Sequence, residues 1–354
     1  MTTSFLSQIL KEIKPLDERA MAKAKARQDM LTKPRGSLGR LEELSIKMAG
    51  ITGKEIPRIE QKAIVTMAGD HGVIAEGVSA YPQEVTAQMV YNFLRGGAGI
   101  NVLARHIGAR VVVIDMGVAA NLESHPSLVS KKIAFGTSNM AKGPAMSREQ
   151  ALRAIVSGIE VINEEVAKGL DIVGVGDMGI GNTTASSAIC AVITGEPVAT
   201  VTGKGTGISD EQLASKVKVI ETALALNKPD PKDAIDVLSK VGGFEIGGIA
   251  GAILGAAAQR IPVVIDGFIV GAAALIAAGL CPKVKDYLIA AHVSVEAGHK
   301  TVFDYLELKP LFNLGMRLGE GTGAALAISI IEAAAKALAE MATFADAGVS
   351  EKLD

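Results

Sequence analysis

One carboxylate, Glu320, stands between two glycines in the run Leu318-Gly319-Glu320-Gly321-Thr322-Gly323. No neighbouring apolar side chain shields it, so the loop can present it bare to a ligand, where an ionised carboxylate can accept a proton. The plainer reading is a helix-start carboxylate, favoured by the dipole of the Ala-rich helix that follows and worth about 0.3–1 kcal/mol. A second acid, Asp177, precedes Met178-Gly179-Ile180-Gly181-Asn182-Thr183-Thr184, and a further Gly-rich run is Thr202-Gly203-Lys204-Gly205-Thr206-Gly207. Glycine lets backbone N–H groups close on an anion, and a helix N-terminus adds a favourable dipole. Gly179–Thr184 and Gly203–Gly207 therefore have the make-up of phosphate cradles. Neither is a Walker A loop, because Lys204 is followed by Gly205, and neither carries the third glycine of the dinucleotide fingerprint. One Gly-rich run alone more often marks a tight turn; two at strand ends point to phosphate. Ser209 and Gln212 have capping-box spacing, so Gly203–Gly207 is expected to open a helix.

The five histidines, His71, His106, His125, His292 and His299, are scattered, and no pair has zinc-ligand spacing with a carboxylate. No metal and no cofactor are expected. Asp70 and His71 are read as holding their loop by hydrogen bonds, ahead of a metal or acid–base role. His292 and His299, flanking Glu296, are read as supporting residues. Cys190 and Cys281 lie in Ala/Val/Ile-rich runs and read as small buried hydrophobes. Nothing suggests an oxidising compartment, and a cytoplasmic location is expected.

These residues need elements to position them. Short β-rich runs occur at Ala63–Met67, Arg110–Met116, Ile172–Val175, Pro262–Ile265 and Tyr287–Ala291, with a weaker one at Lys132–Phe135. Most lack strict alternation, as strands covered on both faces do. Helical patterns follow at Thr184–Ile193, Asp210–Leu226, Ile269–Ala278 and Ala324–Met341. Repeated strand, loop and helix imply an α/β fold: a Rossmann-like, doubly wound parallel sheet. In such a sheet ligands bind beyond the carboxyl ends of the strands, where the unusual residues cluster. The first sixty residues read as helices broken at Pro34-Arg35-Gly36, beginning with Phe5, Leu6, Ile9, Leu10 and Ile13 at helical spacing, a pattern unlike a signal peptide. The expected division is a helical segment over 1–60, a large domain over 61–323 and a C-terminal helix over 324–354 that packs with the first segment.

The 354 residues are enough for one large or two smaller domains with a well-buried core. A net charge of −2, no Trp and 3% aromatics argue against a nucleic-acid partner. Gln259, Arg260, Pro262 and Asp266 cut the apolar stretch Gly247–Cys281 into pieces too short for a bilayer, so no membrane role is expected.

Taken in order, KPRGSLGRLE (33–42), MAGDHGV (67–73), GVSAYPQEVTAQMV (77–90), GGAGINVLAR (96–105), GIGNTT (179–184), TGKGTGI (202–208), HVSVEAGH (292–299) and LGMRLGEGTGAALA (314–327) resemble the nicotinate-nucleotide–dimethylbenzimidazole phosphoribosyltransferase family, which makes the lower-ligand nucleotide of cobalamin. Each motif is weak alone; the ordered set spans most of the chain and is specific. The resemblance implies a Rossmann-like large domain, a small three-helix domain built from both chain ends, and a homodimer with shared active sites. It implies that nicotinate mononucleotide and a benzimidazole-type base are the substrates. Glu320 would be the catalytic base, with Asp177 beside it. Ser79, Tyr81, Gln88, Met178 and Leu318 would hold the base. Gly179, Gly181, Asn182, Thr183, Gly203, Lys204, Gly205 and Ser294 would hold phosphate and ribose. The chain departs from the family at Asp177, where Glu is usual. Two other readings stand beside this one: a nucleoside phosphorylase or glycohydrolase, and a non-catalytic nucleotide sensor. The intact Glu320 loop speaks against the sensor, and the apolar side chains around Tyr81–Met89 favour an aromatic acceptor over water.

Overall fold

The computed structural model describes residues 2–350. Six parallel strands form one sheet: β1 (Lys62–Gly69), β2 (Arg110–Gly117), β3 (Leu128–Ser130), β4 (Ile172–Met178), β5 (Val263–Ile265) and β6 (Leu288–Ala290). Their spatial order is β3-β2-β1-β4-β5-β6. The chain starts at the centre, winds outward to β3, then returns to β4 beside β1 and winds the other way. The reversal between β1 and β4 is the topological switch point, where such folds leave a crevice for ligands.

The period of two along the strands divides the core. Ala63, Val65 and Met67 of β1, Val112, Ile114 and Met116 of β2, and Val173 and Val175 of β4 share one buried cluster. Ile64, Ala68, Val113, Ile172, Val264 and Ile289 share the other. Both faces are covered, which explains the missing alternation in the sequence. The first face packs helices Arg148–Ala167, Phe244–Ala258 and Phe268–Leu280, and the second packs Gly99–Ile107 and Thr322–Glu340. The apolar stretch around Gly247–Cys281 is accordingly helix, strand and helix in the core. The helix Thr322–Glu340 is long and apolar enough to cross a membrane, but it buries Ala324, Ala327, Ile328 and Ile331 against the sheet.

Five of the six expected strands are present, with small shifts of boundary. The weak sixth is displaced: the edge strand is Leu128–Ser130, and Lys132–Phe135 is irregular. Lys132 explains the difference. Its ammonium donates to the carbonyls of Val118 (2.6 Å) and Ala120 (2.8 Å), pairs with Asp115 at 3.1 Å and lies over the Phe135 ring. Those bonds pull the segment across the end of β2 instead of along it.

The two ends of the chain meet. Helices Glu18–Met30, Arg40–Thr52 and Thr322–Glu340 bring Ala20, Ala24, Ala49 and Leu338 into one small buried cluster. Arg27 donates to the carbonyls of Leu338, Ala339 and Met341, closing the last turn of Thr322–Glu340 with a cation. The first helix, Thr2–Glu12, lies elsewhere: Leu6 and Ile9 join the main core beside Arg148–Ala167 and Phe244–Ala258. The helix Thr322–Glu340 runs from the sheet to the terminal helices as one rod.

The core helices Arg148–Ala167 and Phe244–Ala258 pack backbone to backbone. A Cβ on Gly158 would overlap the Gly248 carbonyl, and one on Gly251 would overlap the Ile155 carbonyl. Gly158→Ala and Gly251→Ala should each destabilise the fold by about 1–3 kcal/mol or more, as overpacking does. Urea titration of either variant checks this; an unchanged midpoint would mean that the two backbones do not abut.

Candidate active site

The carboxyl ends of β1, β4, β5 and β6 open into a cavity of about 500 Å³. Of the residues singled out in the sequence, Tyr81, Asp177, Met178, Gly179, Asn182, Thr183, Gly205, Ser294 and Leu318 line it. Thr206, Phe268, Ile269, His292, Glu296 and Arg317 line it as well. Gly181, Gly203, Lys204 and Ser79 lie just outside that lining, in the same loops. Gln88 sits exposed on the helix Glu84–Leu94.

Glu320 is buried directly behind Gly319. Its backbone is pinned from three sides. Thr66 of β1 donates its hydroxyl to the Glu320 carbonyl at 2.9 Å. Gly176 of β4 lies under the peptide so closely that a Cβ there would overlap it. The next N–H, that of Gly321, donates to Asp266 at 3.0 Å. Glu320 itself has φ +65°, a left-handed conformation uncommon outside glycine. The side chain accepts the Ile100 N–H through Oε2 at 3.0 Å, at the start of the helix Gly99–Ile107. Its other oxygen, Oε1, has no hydrogen-bond partner among the described residues. Burial raises the Glu320 pKa, the Ile100 N–H opposes that rise, and the neighbouring Asp266 adds to it. The upward shift makes Glu320 a better proton acceptor once ionised.

Asp177 ends β4 and accepts from the Asn182 amide at 2.9 Å through Oδ2, while Oδ1 is buried without a partner among the described residues. Its pKa is pushed up to about 8 by burial, then by Asp266, Glu245 and Glu320, against the Asn182 hydrogen bond. Asp177 therefore carries a proton at neutral pH.

The two Gly-rich loops converge. Gly179 rests on the end of β1, where a Cβ would overlap the Gly69 carbonyl, and Asn182 and Thr183 open the helix Asn182–Thr194. Gly203–Gly207 leads into the helix Asp210–Asn227, whose Ser209–Gln212 capping box is present as the spacing required. Lys216 from that helix joins the loops: its ammonium donates to Thr183 Oγ1 at 2.9 Å and to the Gly203 carbonyl at 3.2 Å. Burial lowers its pKa to about 8, and Glu296 works against the fall. The loop's own lysine, Lys204, instead pairs at the surface with Asp210 at 2.8 Å. Ser79 and the Ala80 N–H bond to Thr206, tying the expected base-binding stretch to the second Gly-rich loop.

Lys216 escaped the sequence reading, yet a signal was there. It shares a helical face with Ile220, Ala223 and Asn227, at steps of four, three and four, so a lysine sits on a buried stripe. His71 bonds Glu245 at 2.7 Å inside the core, and the Asp70 carboxylate accepts the Ala119 N–H at 2.8 Å. His299 accepts the Ser294 N–H at 2.8 Å, and burial, aided by His292, lowers its pKa to about 3, so it stays neutral. Cys190 and Cys281 are free and buried. Among the described residues no cluster of three His, Cys, Asp or Glu side chains has metal-binding geometry.

A doubly wound sheet with two converging Gly-rich loops and a fixed, raised-pKa carboxylate at the switch point has the layout of an α/β enzyme. The phosphoribosyltransferase family model matches residues 13–349. The chain is 64% identical to the nicotinate-nucleotide–dimethylbenzimidazole phosphoribosyltransferase of Chloroflexus aggregans (strain MD-66 / DSM 9485), over 99% of each chain. It is 64% identical, again over 99% of each, to that of Roseiflexus sp. (strain RS-1). The crystal structure of nicotinate-nucleotide–dimethylbenzimidazole phosphoribosyltransferase from Thermus thermophilus superposes with a TM-score of 0.90 at 45% identity, covering 95% of this chain and all of that one. The chain belongs to the phosphoribosyltransferase family.

Lys216, not Lys204, should carry the anion affinity of the paired loops. Lys216→Met should weaken phosphate-ester binding about tenfold or more, the scale of a charge-assisted hydrogen bond of about 1.5–3 kcal/mol. Lys204→Met should change it by about twofold at most, as expected of an exposed ion pair. Because the ammonium is lost above about pH 8, wild-type affinity should fall between pH 7 and 9, and the Lys216→Met variant should lose that slope. Calorimetric titration across this range tests both; equal effects of the two variants would return the role to Lys204.

Proposed function

We propose that the enzyme transfers the 5-phosphoribosyl group of nicotinate mononucleotide to 5,6-dimethylbenzimidazole or a related base, giving α-ribazole 5′-phosphate and nicotinate with inversion at C1′. The observation that carries the reading is Glu320: a buried carboxylate directly behind the cavity-lining Gly319, its backbone locked by Thr66, Gly176 and Asp266. The names of the close relatives point to the same reaction.

The 5′-phosphate lies on the backbone of Gly203, Lys204 and Gly205 with the Lys216 ammonium behind it, and the ribose lies near Gly179, Gly181, Asn182, Thr183 and Ser294. The flat base stands between Tyr81, Met178 and Leu318, with Ser79 and Gln88 at its margin. One ring nitrogen attacks C1′ opposite the pyridinium, the C1′–N bond to nicotinate breaks, and its electron pair returns to the pyridine ring. The other ring nitrogen then holds an acidic N–H, and Glu320 takes that proton. Asp177 faces the ribose. A cationic substrate lowers its pKa from about 8, so it ionises as positive charge arrives. Holding both reactants in line supplies the rest of the acceleration.

The terminal helical segments act as the small domain, and the enzyme works as a cytoplasmic homodimer. Tyr81, Val295, Leu314 and Leu318 around the cavity mouth are each more than half exposed, a greasy rim that a second subunit would cover. Light scattering should report a dimer; a fully active monomer would overturn the shared-site reading.

Incubation with nicotinate mononucleotide, with and without dimethylbenzimidazole, separates transfer from hydrolysis. Nicotinate release only with the base supports transfer, and release without it supports the glycohydrolase. Glu320→Gln should lower turnover about a hundredfold or more, with little change in Tm and both substrates still bound. Near-wild-type turnover in the folded variant would remove Glu320 from the mechanism and leave Asp177 as the candidate base.

A further inference from the structure

Asp266 immediately follows β5 and is fully buried. Its Oδ2 accepts the Gly321 N–H at 3.0 Å, and its Oδ1 accepts those of Gly323 at 2.7 Å and Ala324 at 3.2 Å. These are the first free N–H groups of the helix Thr322–Glu340, so a side chain from a different strand caps that helix. The bond to Gly321 is made by the residue directly after Glu320. His292, which follows β6 and lines the cavity, stands against Asp266 with Nε2 at 3.4 Å from Oδ1. A Cβ on Gly323 would strike both side chains, so the loop is seated on this pair.

We propose that Asp266 is the positioning residue for Glu320: its carboxylate fixes the loop Leu318–Gly321 so that the free oxygen of Glu320 meets the ring N–H of the accepting base. The inference rests on Glu320 being the base. A carboxylate offers two acceptor oxygens to the three backbone donors. Asn at the same place offers one and turns an NH₂ toward a backbone N–H, which repels the loop. Asp266 also acts through charge. Glu320 is faced by Asp177 from the end of β4, by Asp266 from β5 with His292 behind it, and by the Ile100 N–H from the helix Gly99–Ile107. Of these, Asp266 adds to the upward shift of the Glu320 pKa that burial begins.

The test is a double-mutant cycle of Asp266→Asn and Glu320→Gln, with turnover, the KM for nicotinate mononucleotide and the pH profile of kcat measured on each folded enzyme. Asp266→Asn should lower kcat at least tenfold and change the KM by about twofold or less. The acid limb of its kcat profile should move to lower pH, because removing a neighbouring negative charge lowers the Glu320 pKa. In the Glu320→Gln background the Asp266→Asn change should have almost no further effect, because its route to the reaction is already gone. Losses that multiply, or an acid limb that stays in place, would make Asp266 a structural cap only. A Glu320→Gln enzyme with full turnover would overturn the base reading and this inference with it. A dead Glu320→Gln beside a fully active Asp266→Asn would overturn this inference alone. Should Asp266→Asn fail to fold, Asp266→Glu enters the same cycle. It keeps the charge and shifts the oxygens by one methylene, so kcat should fall and the acid limb should stay; full turnover of that variant would equally overturn the positioning role.

Discussion

Four buried carboxylates, Asp177, Glu245, Asp266 and Glu320, crowd the switch point of one parallel sheet, and the rest of the architecture answers that crowding. An ionised carboxylate taken out of water is costly unless hydrogen bonds replace its hydration. Here most of the replacement is backbone. Asp266 takes three N–H groups at the start of Thr322–Glu340, and Glu320 takes one at the start of Gly99–Ile107. Two helices thus aim their positive ends at the acids, in the orientation that the dipole favours. Glu245 has His71, whose pKa burial lowers but whose net shift is upward because Glu245 and Asp70 draw the proton to it. Asp177 has a neutral amide as its one hydrogen-bond partner among the described residues, and burial with the neighbouring acids pushes its pKa up to about 8.

Bringing backbone N–H groups so near to the acids requires the chain to pass closely over the sheet, and glycine makes that passage. Gly176 in β4 leaves room for the Glu320 peptide, and Gly323 leaves room for Asp266 and His292. The same economy of side chains holds below the sheet, where Gly158 and Gly251 let two core helices touch backbone to backbone. A core this closely packed transmits displacement with little slack. The loop carrying Glu320 is consequently held from β1, β4 and β5 together, and its left-handed residue is maintained by neighbours, not by local preference.

The sequence made the scaffold readable because the strands are short apolar runs separated by long helical periods; Gly179–Thr184 does fall at a strand's carboxyl end, whereas Gly203–Gly207, expected at another, follows the short helix Val198–Val201 and reaches the cavity only through packing. Lys132–Phe135 misled for a specific reason: its β-like composition is overruled by a lysine whose ammonium is claimed by Val118, Ala120 and Asp115. Glu320, Asp177 and the paired loops were visible as types and spacings. Lys216 and Asp266 were harder. Each is one charged residue whose importance comes from a partner far along the chain: Thr183 for Lys216, and Gly321 for Asp266. Lys204, the lysine inside the glycine run, drew attention by proximity in sequence, whereas the structure gives the buried position to Lys216 twelve residues on. Local pattern reports what a segment can do; which cation is desolvated depends on how two distant loops pack.

The acidic corner also suits the charge flow of the proposed reaction. Nicotinate mononucleotide brings a positive pyridinium. As the glycosidic bond breaks, that charge passes to the ribose ring, then to the benzimidazole as its new bond forms, and leaves as the proton taken by Glu320. One unit of positive charge therefore stays within the carboxylate cluster from binding to product, and only its carrier changes. A site built for a neutral substrate would have to create charge separation at the transition state; this one receives the charge with the substrate and keeps it. Preorganised acids that need not reorient are the most effective form of such stabilisation. That requirement accounts for acids held by backbone bonds instead of by flexible cations: a lysine or arginine paired to Asp177 or Glu320 would neutralise the field that the pyridinium needs. A buried ammonium nearby, Lys216, is placed under the Gly-rich loops, where the opposite charge, the phosphate, is expected. With Lys216, faced by Glu296, under the Gly-rich loops and Asp177, Asp266 and Glu320 grouped at the switch point, the cavity would have a direction that matches the nucleotide's phosphate and ribose ends.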